Sequence, residues 1–378
     1  MATSLTPRRW VLDALAHVQP ERLPVDIGGS NVTTLVDTAY ERLKAALDID
    51  APTAYISRRA RQAALDEATL ERLGTATRPL YPGRPDVAGC ERADGTIVDE
   101  WGVGWRSAGG HYNPVESPLA GASAADLAAY RWPDPDDPGR FRGLAATARA
   151  LRADGRFASV LSLPVAVVHL SQYLRGYDEY LMDLVADPGF ASRLMDGVME
   201  VYLPMIDHLL GAVGTEVDVV SFGDDLAFQD RPMVRPEVYR RLIKPRHAAI
   251  VELIRRRTGA AVMYHTCGSV RDLLSDFIDI GVDAINPVQV SAARMGDTAA
   301  LKREFGADLT FWGGIDTQHV LPHGGQDDVR REVRRRVDDL AGGGGFILAA
   351  VHDIQEDVPP ANVLAMADAA AEFGGVGR

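Results

Sequence analysis

Apolar positions along this chain recur with two periods that take turns. Residues 6–17 place Trp10, Val11, Ala14 and Leu15 on one helical face. Leu23-Pro24-Val25-Asp26-Ile27 reads as a strand stopped by Gly28-Gly29, and residues 34–47 read as a helix. From about residue 140 the pattern becomes regular. Helix 140–153 leads to strand 157–163, and helices 166–184 and 188–212 are split at Asp187-Pro188. Then come strand 217–222, helix 236–257, strand 260–265, helix 269–280, strand 283–286, helix 297–305, strand 308–312, helix 326–341, strand 345–351 and helix 360–373. The strands are short, rich in Val, Ile and Leu, and do not alternate, which predicts strands buried on both faces of a parallel sheet. About six such βα units follow residue 140 and about two precede it. The expected fold class is therefore α/β, a (β/α)8 TIM barrel with an N-terminal extension, in a single domain over residues 1–378. Residues 75–139 break the rhythm with Gly, Pro and aromatics, and Asp94-Gly95 is a turn signal. This stretch predicts a β-hairpin and loop excursion from the barrel.

A doubly wound dinucleotide fold would need a GxGxxG turn between its first strand and helix, and the chain has none. The run Gly342–Gly345 follows a helix and enters a strand, the reverse of a phosphate cradle, and reads as a turn after a helix cap. Arginines crowd residues 330–336, but Val329, Val333, Val337 and Leu340 recur at helical spacing, so the basic residues belong to the outer face of an amphipathic helix. A formal net charge of −13 over 378 residues opposes nucleic acid and anionic membrane as partners. Two cysteines, Cys90 and Cys267, make no disulfide framework. No stretch reaches the roughly 20 apolar residues of a membrane span, and the first residues lack the apolar core of a signal peptide. The expectation is a cytoplasmic enzyme or binding protein for a small molecule. A homodimer is left open.

Active sites of parallel barrels gather at the C-terminal ends of the strands. Polar residues at those predicted ends are Asp26, Asp224, Asp225, His265, Cys267, Asn286, Asp316, His352 and Asp353. In the segment AVMYHTCG, His265 and Cys267 stand two residues apart, so an extended backbone aims both to one side. Imidazole and thiolate together suit zinc, which in a catalytic site takes three protein ligands and leaves one position open. His352, at the end of the last strand, is the candidate for the third, with Asp224, Asp225 and Asp353 in reserve. The plainer alternative is a small buried thiol beside a hydrogen-bonded histidine. Cys90 has no histidine near it in sequence and reads as incidental.

Several segments in preserved order, HTCGSVRDLLSDFIDIGVDAINPVQ, FWGGIDTQHVLPHG, AAVHDIQEDVPPANVLAM and GDDLAFQDRPMVRPEVYRRLIKPR among them, resemble the uroporphyrinogen decarboxylase-like superfamily. The resemblance implies a (β/α)8 barrel with an N-terminal extension. True decarboxylases of this kind clamp porphyrinogen carboxylates with an arginine-rich segment of the form RQAGR. Here no arginine stands between Arg22 and Arg42. The chain is more similar to the zinc-dependent, corrinoid-linked methyltransferase branch, which carries the His-x-Cys pair and a late cysteine. His265 and Cys267 match the pair, and His352 falls where the late cysteine would be. A His/Cys/His set leaves more positive charge on the metal than one with two thiolates. The resemblance thus implies one zinc ion per chain and a methyltransferase that moves a methyl group between a small substrate, methoxylated or not, and a corrinoid supplied by a partner protein or another methyl carrier. Asp224 and Asp225 would orient substrate or handle a proton, and Tyr112, Asn286 and Asp316 would line the substrate. A metal-free carboxy-lyase and a non-catalytic ligand-binding barrel are the competing readings.

Overall fold

Seven parallel strands carry the fold: β1 (Thr77–Leu80), β2 (Ala158–Ser162), β3 (Val219–Gly223), β4 (Ala261–His265), β5 (Ala284–Asn286), β6 (Thr310–Ile315) and β7 (Phe346–Ala350). The computed structural model describes residues 6–87, 89–108 and 111–375. The strands lie side by side in chain order, β1 at one edge and β7 at the other. β2, β6 and β7 are buried along their whole length, which is why their sequences are largely apolar and do not alternate strictly.

The segment expected as a first strand, residues 23–27, joins the two edges. Val25 forms parallel bridges to both Thr75 and Leu348. The Asp26 and Leu348 amides donate to Leu348 O and Pro24 O at 2.8 and 3.0 Å, and Ala76 N donates to Val25 O at 2.7 Å. The concave side of this curled sheet is filled by Ala76, Ala158, Val160, Val219, Met263, Ala284, Trp312, Ile347 and Ala349. Helix α1 (Pro7–Leu15) adds Val11 and Ala14 to that cluster. Its position is fixed from outside by Arg8, whose guanidinium Nη2 lies 2.8 Å from Asp218 Oδ1. The Gly342–Gly345 run is a turn that passes beneath α1. A Cβ on Gly344 would lie 2.5 Å from Val18 O, so a bare backbone is needed there.

Two differences from the sequence reading concern the front of the chain. Residues 77–80 belong to the main sheet and not to the excursion expected over 75–139, because β1 pairs with β2 from Thr77–Ala158 to Leu80–Leu161. Arg78 and Pro79 hide its strand character, since proline and charge are ordinarily kept out of central strands. The excursion proper is a four-stranded antiparallel sheet of Cys90–Glu91, Ile97–Val98, Gly104–Ala108 and His111–Glu116. A separate hairpin, Ala54–Ser57 with Gln62–Ala64, was not expected. The helix expected over 166–184 is two, α2 (Val167–Arg175) and Tyr177–Ala186, broken at Gly176 with φ 94°. In the arginine-rich helix Gln326–Leu340, Val329 and Val333 face inward. Arg336 turns inward with them and is neutralised by Glu332 at 2.7 Å. No helix among the described residues is long and apolar enough to cross a membrane.

Candidate metal centre

The C-terminal ends of β3, β4 and β5 are in register: Gly223 pairs with His265, and His265 with Asn286. That alignment sets up the site. A Cβ at Gly223 would lie 2.2 Å from His265 O and 2.7 Å from its Cβ, so only glycine lets the end of β4 sit where it does. On the other side His265 Nδ1 lies 2.6 Å from Asn286 Oδ1. Asn286 is fully buried, and its Nδ2 donates to Trp312 O at 3.2 Å. The amide nitrogen being committed to that carbonyl, its oxygen faces the imidazole and accepts from Nδ1–H. His265 Nε2 is thereby left with a bare lone pair.

Cys267 Sγ lies 3.6 Å from that Nε2. The potential ligand atoms of His265, Cys267 and His352 all lie within 4.8 Å of one another. Donors around a tetrahedral zinc at about 2.0–2.3 Å stand roughly 3.3–3.8 Å apart. The His265–Cys267 pair meets this spacing as it stands. His352 is exposed, so its ring is free to turn inward by the remaining ångström or so. The donor set therefore fits a zinc ion. Burial holds the His265 imidazole below its ordinary range, against the opposing pull of Asp225, and keeps it neutral and ready to ligate. Burial, seconded by the Asp225 carboxylate, pushes the Cys267 thiol well above its ordinary range. A cation must therefore displace the thiol proton to bind.

Asp224 and Asp225 are adjacent and do different work. Asp224 is 2 % exposed. Its Oδ1 accepts the Val168 and His169 amides at 2.9 Å each, and its Oδ2 lies 3.0 Å from His247 Nε2. Helix α2 has Ala166 at its N-cap, which offers no capping side chain. Asp224 caps it from a neighbouring loop, and the carboxylate at a helix N-terminus is favourable electrostatically. Asp225 instead accepts the Cys267 amide at 2.8 Å and points Oδ2 to within 3.7 Å of His169 Nε2. Burial would raise Asp225, but the positive charge that His265 and His169 carry when protonated, together with the Cys267 N–H, outweighs it and holds the carboxyl below its ordinary range.

A cavity of about 300 Å3 opens over these groups, lined among others by Asp224, Asp225, His265, His352 and His169. Asn286 sits behind His265 rather than on the cavity wall. Tyr112 lines a different cavity, between the excursion and the hairpin at 54–64. Asp316 accepts the Gln318 and His319 amides at 2.7 and 3.0 Å and caps its own turn. The sequence reading passed over His169, which stacks on Tyr173 with ring centroids 6.0 Å apart. It lies several residues past the end of β2, inside the first turn of α2, so a search of strand ends could not reach it. The apolar PVAVVHL run leading into that turn offered the only hint.

A stretch of 156 residues is 24% identical to the methylcobamide:CoM methyltransferase MtaA of Methanosarcina barkeri, spanning 41% of this chain and 42% of that protein. A methyltransferase from Methanosarcina mazei superposes with a TM-score of 0.68 at 18% identity, over 98% of this chain and 99% of its own; that likeness establishes the shared fold. The family model for uroporphyrinogen decarboxylase (URO-D) matches residues 96–373. The chain belongs to the uroporphyrinogen decarboxylase (URO-D) family.

Proposed function

We propose that this protein is a zinc-dependent methyltransferase that moves a methyl group between a small substrate and a corrinoid carried by a partner protein. The observation that carries the reading is the cluster of His265, Cys267 and His352 within 4.8 Å, in a family whose similar members include methyltransferases. His265 through Nε2, Cys267 through Sγ and His352 would hold one zinc ion. Zinc, when bound there, supplies Lewis acidity to the oxygen or sulfur that gives up or receives the methyl group. Asn286 keeps His265 in the ligating tautomer. Asp225, beside His169, is placed to hold a proton or orient the substrate, and Asp224 acts by positioning α2 and with it His169. The segment at Val25, bridged to both sheet edges, supports reading the sheet as a (β/α)8 barrel with its site at the usual end.

The cavity of about 300 Å3 suits a small substrate and is too small for a corrin ring, so a partner would present the corrinoid at the mouth. The metal-free lyase reading fares worse at this cavity. None of its lining residues is Arg or Lys, so a substrate's carboxylates would be buried unpaired. Elemental analysis and a methyl-transfer assay that follows the visible spectrum of methylcobalamin test the proposal together. The expected result is one zinc per chain, with zinc and methyl transfer both lost in Cys267→Ala. Full methyl transfer by zinc-free protein would overturn it.

A further inference from the structure

A cavity of about 680 Å3 lies outside the metal centre. Its walls come from the 54–64 hairpin, the loop around Arg84 and the antiparallel sheet of the excursion. It is within the size range of small-molecule sites. Its charge balance is unusual for a protein with net charge −13. Three carboxylates line it, and each is already engaged. Asp37 is bound by Arg61 at 2.9 Å. Glu100 is paired with Arg140. Asp99 accepts Trp105 Nε1 at 2.7 Å and faces Arg59 at 3.3 Å. Two lining guanidiniums remain without a carboxylate among the described residues. Arg58 lies over the Tyr55 ring at 4.4 Å, and Arg84 has no ion pair or side-chain hydrogen bond; both are exposed.

The cavity therefore presents uncompensated positive charge beside apolar surface from Ile56, Ile97 and Tyr112. The Tyr55 ring restrains the Arg58 guanidinium that lies over it, which lowers the entropy lost when an oxyanion binds. Trp105 does the same for Arg59, whose guanidinium lies 3.9 Å from the ring centroid. Trp105 in turn packs edge-on against Tyr173 at 4.9 Å, and Tyr173 stacks on His169 of the metal-centre cavity. A continuous row of rings thus runs from one cavity wall to the other.

We infer that this outer cavity is a binding site for a small organic anion, a carboxylate or phosphate on an apolar or aromatic body. Arg58 and Arg84 take the oxyanion, and Tyr112 with the isoleucines takes the body. The inference does not depend on the metal. Isothermal titration of the full chain with 3-methoxybenzoate, phenyl phosphate, neutral methoxybenzene and inorganic phosphate tests it. At least one of the two organic anions is expected to bind at one site per chain, about tenfold or more tighter than methoxybenzene and inorganic phosphate. Which of the two binds tighter identifies the oxyanion. The double variant Arg58→Ala/Arg84→Ala should weaken that binding by about tenfold or more, and Cys267→Ala should leave it unchanged. Both arginines are exposed, so their removal leaves the fold intact; Arg331→Ala, on the helix Gln326–Leu340 and absent from this cavity's lining, controls for general charge loss. Wild-type binding by the double variant overturns the assignment. So does inorganic phosphate binding as tightly as the organic anions, which would reduce the site to a charged patch. Loss of binding in Cys267→Ala alone would overturn it too, by moving the ligand to the metal centre, and would leave the methyltransferase proposal standing.

Discussion

Replacing Asn286 by alanine should weaken zinc binding without touching any ligand. In the folded chain Asn286 Oδ1 accepts the His265 Nδ1–H at 2.6 Å, in a place where Asn286 itself is fully buried. Alanine removes the acceptor, and water is a poor replacement because only 13 % of the His265 side chain is exposed. Two costs follow. The hydrogen bond contributes about 1–1.5 kcal/mol net, and the released ring regains about 0.5–1 kcal/mol of rotamer and tautomer freedom that zinc must then remove. The sum, about 2 kcal/mol, corresponds to roughly 30-fold in affinity, inside the range of about 10–100-fold seen for partners that orient metal ligands. The assay is competition for zinc against a chromophoric chelator at pH 7.5, with thermal unfolding of the metal-free variants recorded alongside. Alanine also removes the donor to Trp312 O, so a stability loss of about 1–3 kcal/mol is expected. Asn286→Asp separates the two effects: it lacks that donor yet keeps an oxygen for His265, and it should bind zinc at least as tightly as the native chain. The reasoning fails if Asn286→Ala binds zinc within about threefold of native, or if Asp and Ala variants lose affinity equally.

Other expectations follow from the same geometry. Asp224→Ala strands two α2 amides and a buried histidine, and should cost about 3 kcal/mol in urea unfolding; Asp224→Asn, which keeps one acceptor, should cost less. Apparent zinc affinity should rise with pH, by about tenfold per unit between pH 6.5 and 8. The sign comes from Cys267, whose thiol is raised by burial and must lose its proton to bind, while His265 is lowered and already neutral there. A flat profile measured by the same competition would remove Cys267 from the ligand set. Gly223→Ala places a methyl group 2.2 Å from His265 O; about 1–3 kcal/mol of destabilisation should come with weakened zinc binding, and a variant with native stability and affinity would show that the end of β4 can move.

The strands from β2 onward were legible because burial on both faces writes itself as short, largely apolar runs, a signal that no neighbour needs to complete. β1 was not, since Thr77-Arg78-Pro79-Leu80 reads like a loop. Its arginine is paid for by Glu67 at 2.7 Å, a partner the local sequence cannot announce. The cluster of His265, Cys267 and His352 could be anticipated because two of its members share one strand end and the third closes the last strand. What each carboxylate does could not. Asp224 and Asp225 are chemically alike, and only the arrival of α2 over β3 makes one a helix cap and leaves the other facing the cavity. Asn286 looked like a substrate contact from its place at a strand end; the register between β4 and β5 turns it toward His265 instead.

Helix α1 carries one more implication. Its Val11 and Ala14 stopper the hollow of the sheet at the end away from the histidines, so among the described residues the interior is closed at that end. Anything lodged over His265 and Cys267 must back out the way it came. Under the proposed methyl transfer, donor and acceptor take turns at the threshold, and a slow departure by one holds up the arrival of the other.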